Sequence, residues 1–325
     1  MPNTTPRSFE PAAQCVSSKG RTTAPTLIAA CWLVVAAACG EGTSASGGSA
    51  GAGGSGGSGG AGGAGGSGGA TNQPVEVAFA ARVGGEDFAC GSDFAGVGTG
   101  DAATTFLDFR LYVHDVRLVA GDAEVPVELD QDGVWQTEDV ALLDFEDKTG
   151  ACANGTSDTN TIVRGTVPPG SYSGVRFKVG VPFALNHADA ATAPSPLNLS
   201  ALFWNWQGGH KFVRIDARAE GAATPFNFHL GSTGCDGDPA TGGVTACSSP
   251  NVVEVSLDGF DASANTIVLD YLPLVAGLDL SADEGGAPGC MSGAQDPECG
   301  PMFEALGLDL ATGSPSGSPL VFSVE

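Results

Sequence analysis

From residue 75 to residue 275 the chain alternates short apolar runs with clusters of Gly, Pro, Asn and Asp. The runs "VEVAFAARV" (75–83), "FLDFRLYVHDVRLV" (106–119), "NTIVRGTV" (160–167), "SGVRFKVGV" (173–181), "HKFVRIDARAE" (210–220), "FNFHL" (226–230), "NVVEVSL" (251–257) and "NTIVLDYLPLV" (265–275) are rich in Val, Ile, Phe and Thr. Period-two alternation in such runs predicts strands. In "VRFKVGV", Val175, Phe177, Val179 and Val181 alternate with Arg176 and Lys178, which predicts one buried and one wet face. No segment keeps apolar residues at helical spacing over four turns. The best short helix is "SPLNLSALFWNW" (195–206), where Ser195 before Pro196 makes a start signal. Many short strands between turn signals predict an all-β fold, a sandwich or barrel of short antiparallel strands with disulfide-stapled loops. Residues 71–325 read as a single domain with a loop-rich C-terminal part, the segment 281–319 being rich in Gly, Pro and Ser.

The first 70 residues follow a different pattern. Residues 1–25 are polar with three basic residues, and Leu27–Ala38 is an apolar run about as long as a signal-peptide core and too short to span a bilayer comfortably. Small side chains precede Cys39, as signal peptidase requires, and its thiol can accept a lipid. Residues 1–38 therefore read as a lipoprotein signal peptide and Cys39 as the lipidated residue. The stretch "GEGTSASGGSAGAGGSGGSGGAGGAGGSGGA" (40–70) has no side chain that could build a core. As a Gly/Ser coil it would span roughly 30 Å, so 39–70 reads as a tether. No Asp follows Cys39, which points to the outer membrane, with the domain facing the periplasm or the cell surface.

Charge narrows the partners. The chain carries 13 basic and 37 acidic residues, a formal charge of −24, and removing residues 1–38 takes away three bases and one acid. So acidic a protein is a poor partner for nucleic acid. Beyond Cys15, Cys31 and Cys39, six cysteines remain, an even number that reads as three disulfides in an exported chain. Cys235 with Cys247 and Cys290 with Cys299 each bracket a Gly/Asp/Pro-rich loop, so local closure is the simplest pairing, leaving Cys90 with Cys152. The spacing fits no common zinc pattern.

Four histidines and four tryptophans carry the remaining chemical information. His114, in "LYVHDVRL", alternates with Tyr112 and Val116 and reads as a half-buried structural residue. His187 ends the run "VGVPFALNH" where a strand gives way to a loop, a place from which an imidazole can enter a cleft. His229 lies in "FNFHLGSTGC", just before a glycine turn and a cysteine that would hold the turn still, the rigidity a metal ligand needs. His210 follows Gly208–Gly209 and is open to either role. Trp204 and Trp206 sit two positions apart between His187 and His210, whereas Trp32 belongs to the leader and Trp135 reads as an ordinary strand residue. The acidic turns "SLDGFDASAN" and "LDFEDKTG" lack the alternating acids of a calcium loop. There is no nucleotide loop and no CxxCH haem attachment, and "GST" beside His229 is a weak hydrolase signal.

Four ordered motifs, "LLDFEDKTGAC", "GVRFKVGVPFALNH", "SPLNLSALFWNWQGGHKFVRID" and "FNFHLGSTGC", together resemble the MbnP-like family of periplasmic copper-binding proteins, also described as metallo-mystery pair proteins with a four-Cys motif. The resemblance spans about residues 75–275. It implies a copper site in a protein that is not itself an enzyme, and a di-haem MauG-like cytochrome c peroxidase partner that oxidises a tryptophan to kynurenine. Carried over motif by motif, it makes His187 and His229 metal ligands and Trp204 or Trp206 the modified residue. His210 stands where the family has Tyr, so it is either a silent replacement or an extra ligand. Cys90, Cys152, Cys235 and Cys247 match the four family cysteines, and Cys290 and Cys299 lie outside that set. The role implied is copper acquisition or homeostasis. The competing reading is a metal-free surface module that binds a protein or carbohydrate through its aromatic residues.

Overall fold

The computed structural model describes residues 71–325 except Pro239. The segments read as signal peptide (1–38) and as lipidated Cys39 with its tether (39–70) lie outside the described residues. None of the described helices is long and apolar enough to cross a membrane.

Two sheets face each other across one apolar core. The smaller has the order Phe322–Val324, Thr266–Asp270, Gln73–Val83, Ile162–Val167, Glu128–Leu129, with Glu86–Asp87 added beside Gln73–Val83. The larger runs Val253–Asp258, Gly174–Val179, Ala102–Ala120, Val213–Ala219, Phe226–Leu230, Gly289–Cys290. Three further short strands, among them Val140–Asp144, pair with Ala102–Ala120. Alternation does the placing: Val77, Phe79, Ala81 and Val83 turn inward from the first strand, and Val175, Phe177 and Val179 from Gly174–Val179. Phe79 meets Phe177 edge-on at 5.5 Å, Phe106 meets Tyr271 at 5.0 Å, and these contacts join the two sheets.

The all-β sandwich expected from the pattern is present, with two differences in detail. Gln73–Val83 pairs in parallel with Thr266–Asp270, and Phe226–Leu230 in parallel with Gly289–Cys290. Parallel pairing needs a long crossover, and the first pair joins the two ends of the domain, beyond what local pattern can foresee. The run 265–275 is a strand only to Asp270. The Asp270 carboxylate then accepts the Leu272 N–H and caps the helix Tyr271–Val275. The segment read as loop at 281–319 includes a helix, Cys299–Ala305, whose Met302 and Phe303 are buried. The helix expected at 195–206 is a single 3-10 turn, Ser200–Leu202. Trp135 is in a bend outside the strands, where the Asp132 carboxylate accepts its backbone N–H.

All three disulfides form as local closure predicts: Cys90–Cys152, Cys235–Cys247 and Cys290–Cys299. Cys235 and Cys247 are direct cross-strand partners in the hairpin Thr233–Asp238/Gly243–Ser249.

The strand Ala102–Ala120 determines where chemistry sits, because it is buried on both faces. A bulge opposite Asp216–Ala217 leaves Leu107 without a partner, so Phe106, Phe109, Leu111 and Val113 share the core face. Asp108, Arg110 and Tyr112 face the other way. There the Tyr112 hydroxyl donates to the Pro196 carbonyl at 2.8 Å, and the segment from Pro182 to His210 covers them.

Candidate functional site

The outer face of the larger sheet carries a row of charges beneath that cover. Strand register sets Asp144, Arg110, Arg214 and His229 side by side across four strands, with Asp108, Asp216 and Asn227 in the next row. Arg110 is 2 % exposed and donates from Nε to Asp108 at 2.8 Å. It also forms an ion pair with that carboxylate and lies 3.8 Å from Glu146. Arg214 bridges to Asp108 at 3.2 Å and to Asp216 at 2.7 Å, and gives a third hydrogen bond to the Ala201 carbonyl of the cover. Burial pushes the Asp144 carboxyl up to about 7 despite the opposing pull of Arg110.

His229 ends this network. Its Nε2 lies 2.7 Å from Asp216 Oδ1. Burial lowers its pKa, against the raising effect of Asp216, so the ring is held neutral with the proton on the nitrogen that faces the carboxylate. Burial would raise Asp216, but His229 and Arg214 together hold it below the usual carboxylate range. The other nitrogen, Nδ1, is buried with no hydrogen-bond partner, on a side chain only 8 % exposed. A neutral imidazole clamped at Nε2–H by a carboxylate, with a free lone pair at Nδ1, has the tautomer and orientation of a metal ligand.

The two tryptophans have different neighbours. The Trp204 ring lies over Gly231, two residues beyond His229 on the same side of the chain, where a Cβ would come within 2.5 Å of Cζ3. Its exposed edge lines a cleft of about 460 Å³ together with Asn205, Gln207, Ser232, Thr233 and Met291. Trp206 instead packs on Gly237 of the disulfide hairpin. Gly231→Ala is expected to displace the Trp204 ring and destabilise the fold by about 1–3 kcal/mol through overpacking. A shift in tryptophan emission together with a lower denaturation midpoint would register it, and an unchanged spectrum would contradict the contact.

His187 has a different set of hydrogen-bond neighbours. Its Nδ1 faces the Trp206 carbonyl at 3.2 Å, so that nitrogen donates, and Nε2 lies 3.3 Å from Asn186 Nδ2 and 3.5 Å from Cys247 Sγ. Burial lowers its pKa, with the Trp206 carbonyl opposing. The ligand atoms of His187, Cys235 and Cys247 lie within 4.8 Å of one another, but both sulfurs are in the disulfide and provide no thiolate. Among the described residues no cluster of three such ligand atoms holds both His187 and His229. Asn186, next to His187, donates to Ser232 at 3.3 Å, three residues beyond His229.

His210, open to either role in the sequence, has structural partners. It is wholly buried, with Nδ1 2.7 Å from the Asn186 carbonyl and Nε2 2.9 Å from the Leu197 carbonyl. Both nitrogens face backbone carbonyls inside the fold, so each is already occupied by a protein neighbour. His210 thereby ties the segments of Asn186 and Leu197 to its own strand, which favours the structural one of its two roles. His114 is half-buried, as read from its alternation; burial and then Lys178 lower its pKa to about 4.

Asp216, Asn186 and Met291 escaped the sequence reading. The mirrored pairs "DFR" (108–110) and "RID" (214–216) were the available signal: two strands with opposite charges at the same spacing can pair into a network.

The fold and this site define a disulfide-stapled β-sandwich whose distinguishing feature is a clamped histidine two residues before Gly231, on which the cleft-lining Trp204 ring packs. The family model for MbnP matches residues 72–292, and the chain belongs to the MbnP family. Among solved structures, MbnP from Methylosinus trichosporium is 37% identical with a TM-score of 0.70, and the match covers 78% of this chain and 98% of that one. No curated protein matches.

Proposed function

We propose that this protein binds copper at His229, that Trp204 is the residue a di-haem MauG-like partner converts to kynurenine, and that the protein is a binding protein for copper acquisition or homeostasis, not a catalyst. The observation that carries this reading is the unpartnered, buried Nδ1 of His229, held neutral beside Trp204. Imidazole nitrogen suits copper, and an unused lone pair in the interior is costly unless something binds it. His187 is the second candidate ligand. Its Nε2 carries the lone pair, which faces Asn186 Nδ2 at 3.3 Å.

Trp204 is preferred over Trp206 because it combines proximity to His229 with an edge open to the cleft. Intact indole nitrogen only donates, whereas kynurenine offers an aryl amine and a ketone. Lipidation at Cys39 and an outer-membrane location belong to the same proposal, supported by the leader and tether read from the sequence.

Co-expression with the haem partner, followed by intact mass and copper per chain, tests the reading. The conversion replaces one carbon by one oxygen, and the expected result is that mass change with one copper bound. Peptide mapping should place it on Trp204, and His229→Ala should lose the copper while keeping the fold. Copper binding with both tryptophans intact would leave only the histidine part standing. Neither signal would leave the cleft as a metal-free aromatic binding surface.

A further inference from the structure

We infer that Asp296 and Glu298 hold a calcium ion that fastens the exposed turn 283–287 to the C-terminal part of the domain. Neither residue belongs to the histidine site, and both lie beyond residue 292, where the match to the MbnP model ends.

Two neighbouring carboxylates are buried here. Asp296 is 8 % exposed and Glu298 2 %. Backbone N–H groups reach them in part: Glu284 donates to Glu298 Oε1 at 2.6 Å, and Glu298 to Asp296 Oδ1 at 3.3 Å. Glu298 Oε2 is sealed from solvent and has no hydrogen-bond partner. Burial first, then the Glu298 carboxylate, push the Asp296 carboxyl up to about 6, against the N–H groups of Glu298 and Ala287. No cationic side chain is among these influences, and the chain has no Lys or Arg after Arg218. Like charges sealed together, with an oxygen left unpaired, are costly unless a positive charge joins them.

The donors select the ion. Both are carboxylates, which suit a hard cation, and the pair offers none of the nitrogen or sulfur that copper or zinc prefers. Calcium accepts carboxylate, carbonyl and water oxygens in flexible geometry, whereas magnesium demands a near-ideal octahedron. The backbone comes close enough to add carbonyls: a Cβ on Gly286, which holds φ +107°, would lie 2.9 Å from Asp296 Oδ2. Asp283 and Glu284, exposed on the same turn, draw cations toward it. The Cys290–Cys299 bridge closes the segment that carries Asp296 and Glu298, so the pair is held on constrained backbone.

The full chain, stripped with a chelator and held at constant ionic strength, is titrated with Ca(II) alone. Calorimetry is expected to show one saturable site, with the melting temperature rising in step and deuterium exchange slowing at the amides of Glu284 to Ala287. Glu298→Gln should abolish all three responses while its calcium-free melting temperature stays at or above that of the wild type, since a neutral amide relieves the paired charges. Asp261→Asn, in an exposed acidic turn, should leave the responses intact. So should His229→Ala, which separates this ion from the copper reading. Equal stabilisation by Mg(II), or an unchanged calcium response in Glu298→Gln, would mean general screening of an acidic chain and overturn the inference. No response at about millimolar calcium, the weak end of the range for extracellular sites, would overturn it as well and leave a proton shared by the two carboxyls.

Discussion

Arg110→Met is expected to destabilise the protein by about 3–5 kcal/mol near neutral pH, the typical cost of removing one partner from a buried ion pair. The guanidinium is 2 % exposed and counters Asp108 and Glu146 directly, with Asp144 paired opposite it in register. Methionine fills much of the space but leaves Glu146 and Asp144 without a cation, and Asp108 with Arg214 alone. The deficit should depend on pH in a definite direction. Folded Asp144 titrates at about 7 against an ordinary 3.8, because burial outweighs Arg110. Between about pH 4 and 7 the folded state therefore holds more protons than the unfolded state, and this group's contribution to stability declines as pH rises through that window. Removing Arg110 takes away a lowering influence, so the decline should steepen and extend above pH 7. Urea unfolding at a series of pH values checks this: the gap between wild type and variant should widen from pH 5 to pH 8, and Asp144→Asn should narrow it. A pH-independent gap would mean that loss of packing, not charge, dominates.

Removal of the Cys90–Cys152 bridge, by the double change Cys90→Ala and Cys152→Ala, should cost about 4 kcal/mol from loop closure, against roughly 3 kcal/mol for Cys290 and Cys299. The difference follows from sequence separations of 62 and 9. The longer bridge also has a local effect. Its sulfurs and the Glu146 carboxylate lie within 4.8 Å of one another, and Glu146 accepts the backbone N–H groups of Lys148 at 3.1 Å and Thr156 at 2.6 Å. Releasing the bridge frees the loop that satisfies Glu146, so the charged network that ends at His229 loses its far anchor. Guanidinium unfolding of the two double variants should rank them in that order, and only loss of Cys90–Cys152 should perturb the His229 ring resonances. Equal costs would contradict the loop-length account.

Both predictions depend on features with very different visibility in the sequence. The strands at 75–83, 162–167 and 226–230 were readable because alternation is local, and so was the pairing of Cys235 with Cys247 across a short loop. The family resemblance rested on motifs in the same stretches, and His229 emerged from them as the ligand candidate. His210 stayed open between two roles for a physical reason. From sequence, its neighbours were two glycines, whereas its hydrogen-bond partners are the carbonyls of Asn186 and Leu197, 24 and 13 residues away. Met291 was passed over as part of a loop because the strand that places it pairs with a segment more than 60 residues earlier.

The amino-acid sequence by itself determined the all-β class, the disulfide pairing and the family, since each depends on short-range periodicity, loop closure or ordered motifs. Only the tertiary structure decided which side of each strand meets solvent. The residues Asp108, Arg110, Arg214 and Asp216 alternate with hydrophobes as a wet face would, yet Asp108, Arg110 and Asp216 are buried and Arg214 is tied to the Ala201 carbonyl of the segment above it. That packing makes a largely buried network of the charges, in which Asp216 fixes the proton on His229 Nε2 and Nδ1 is left without a partner.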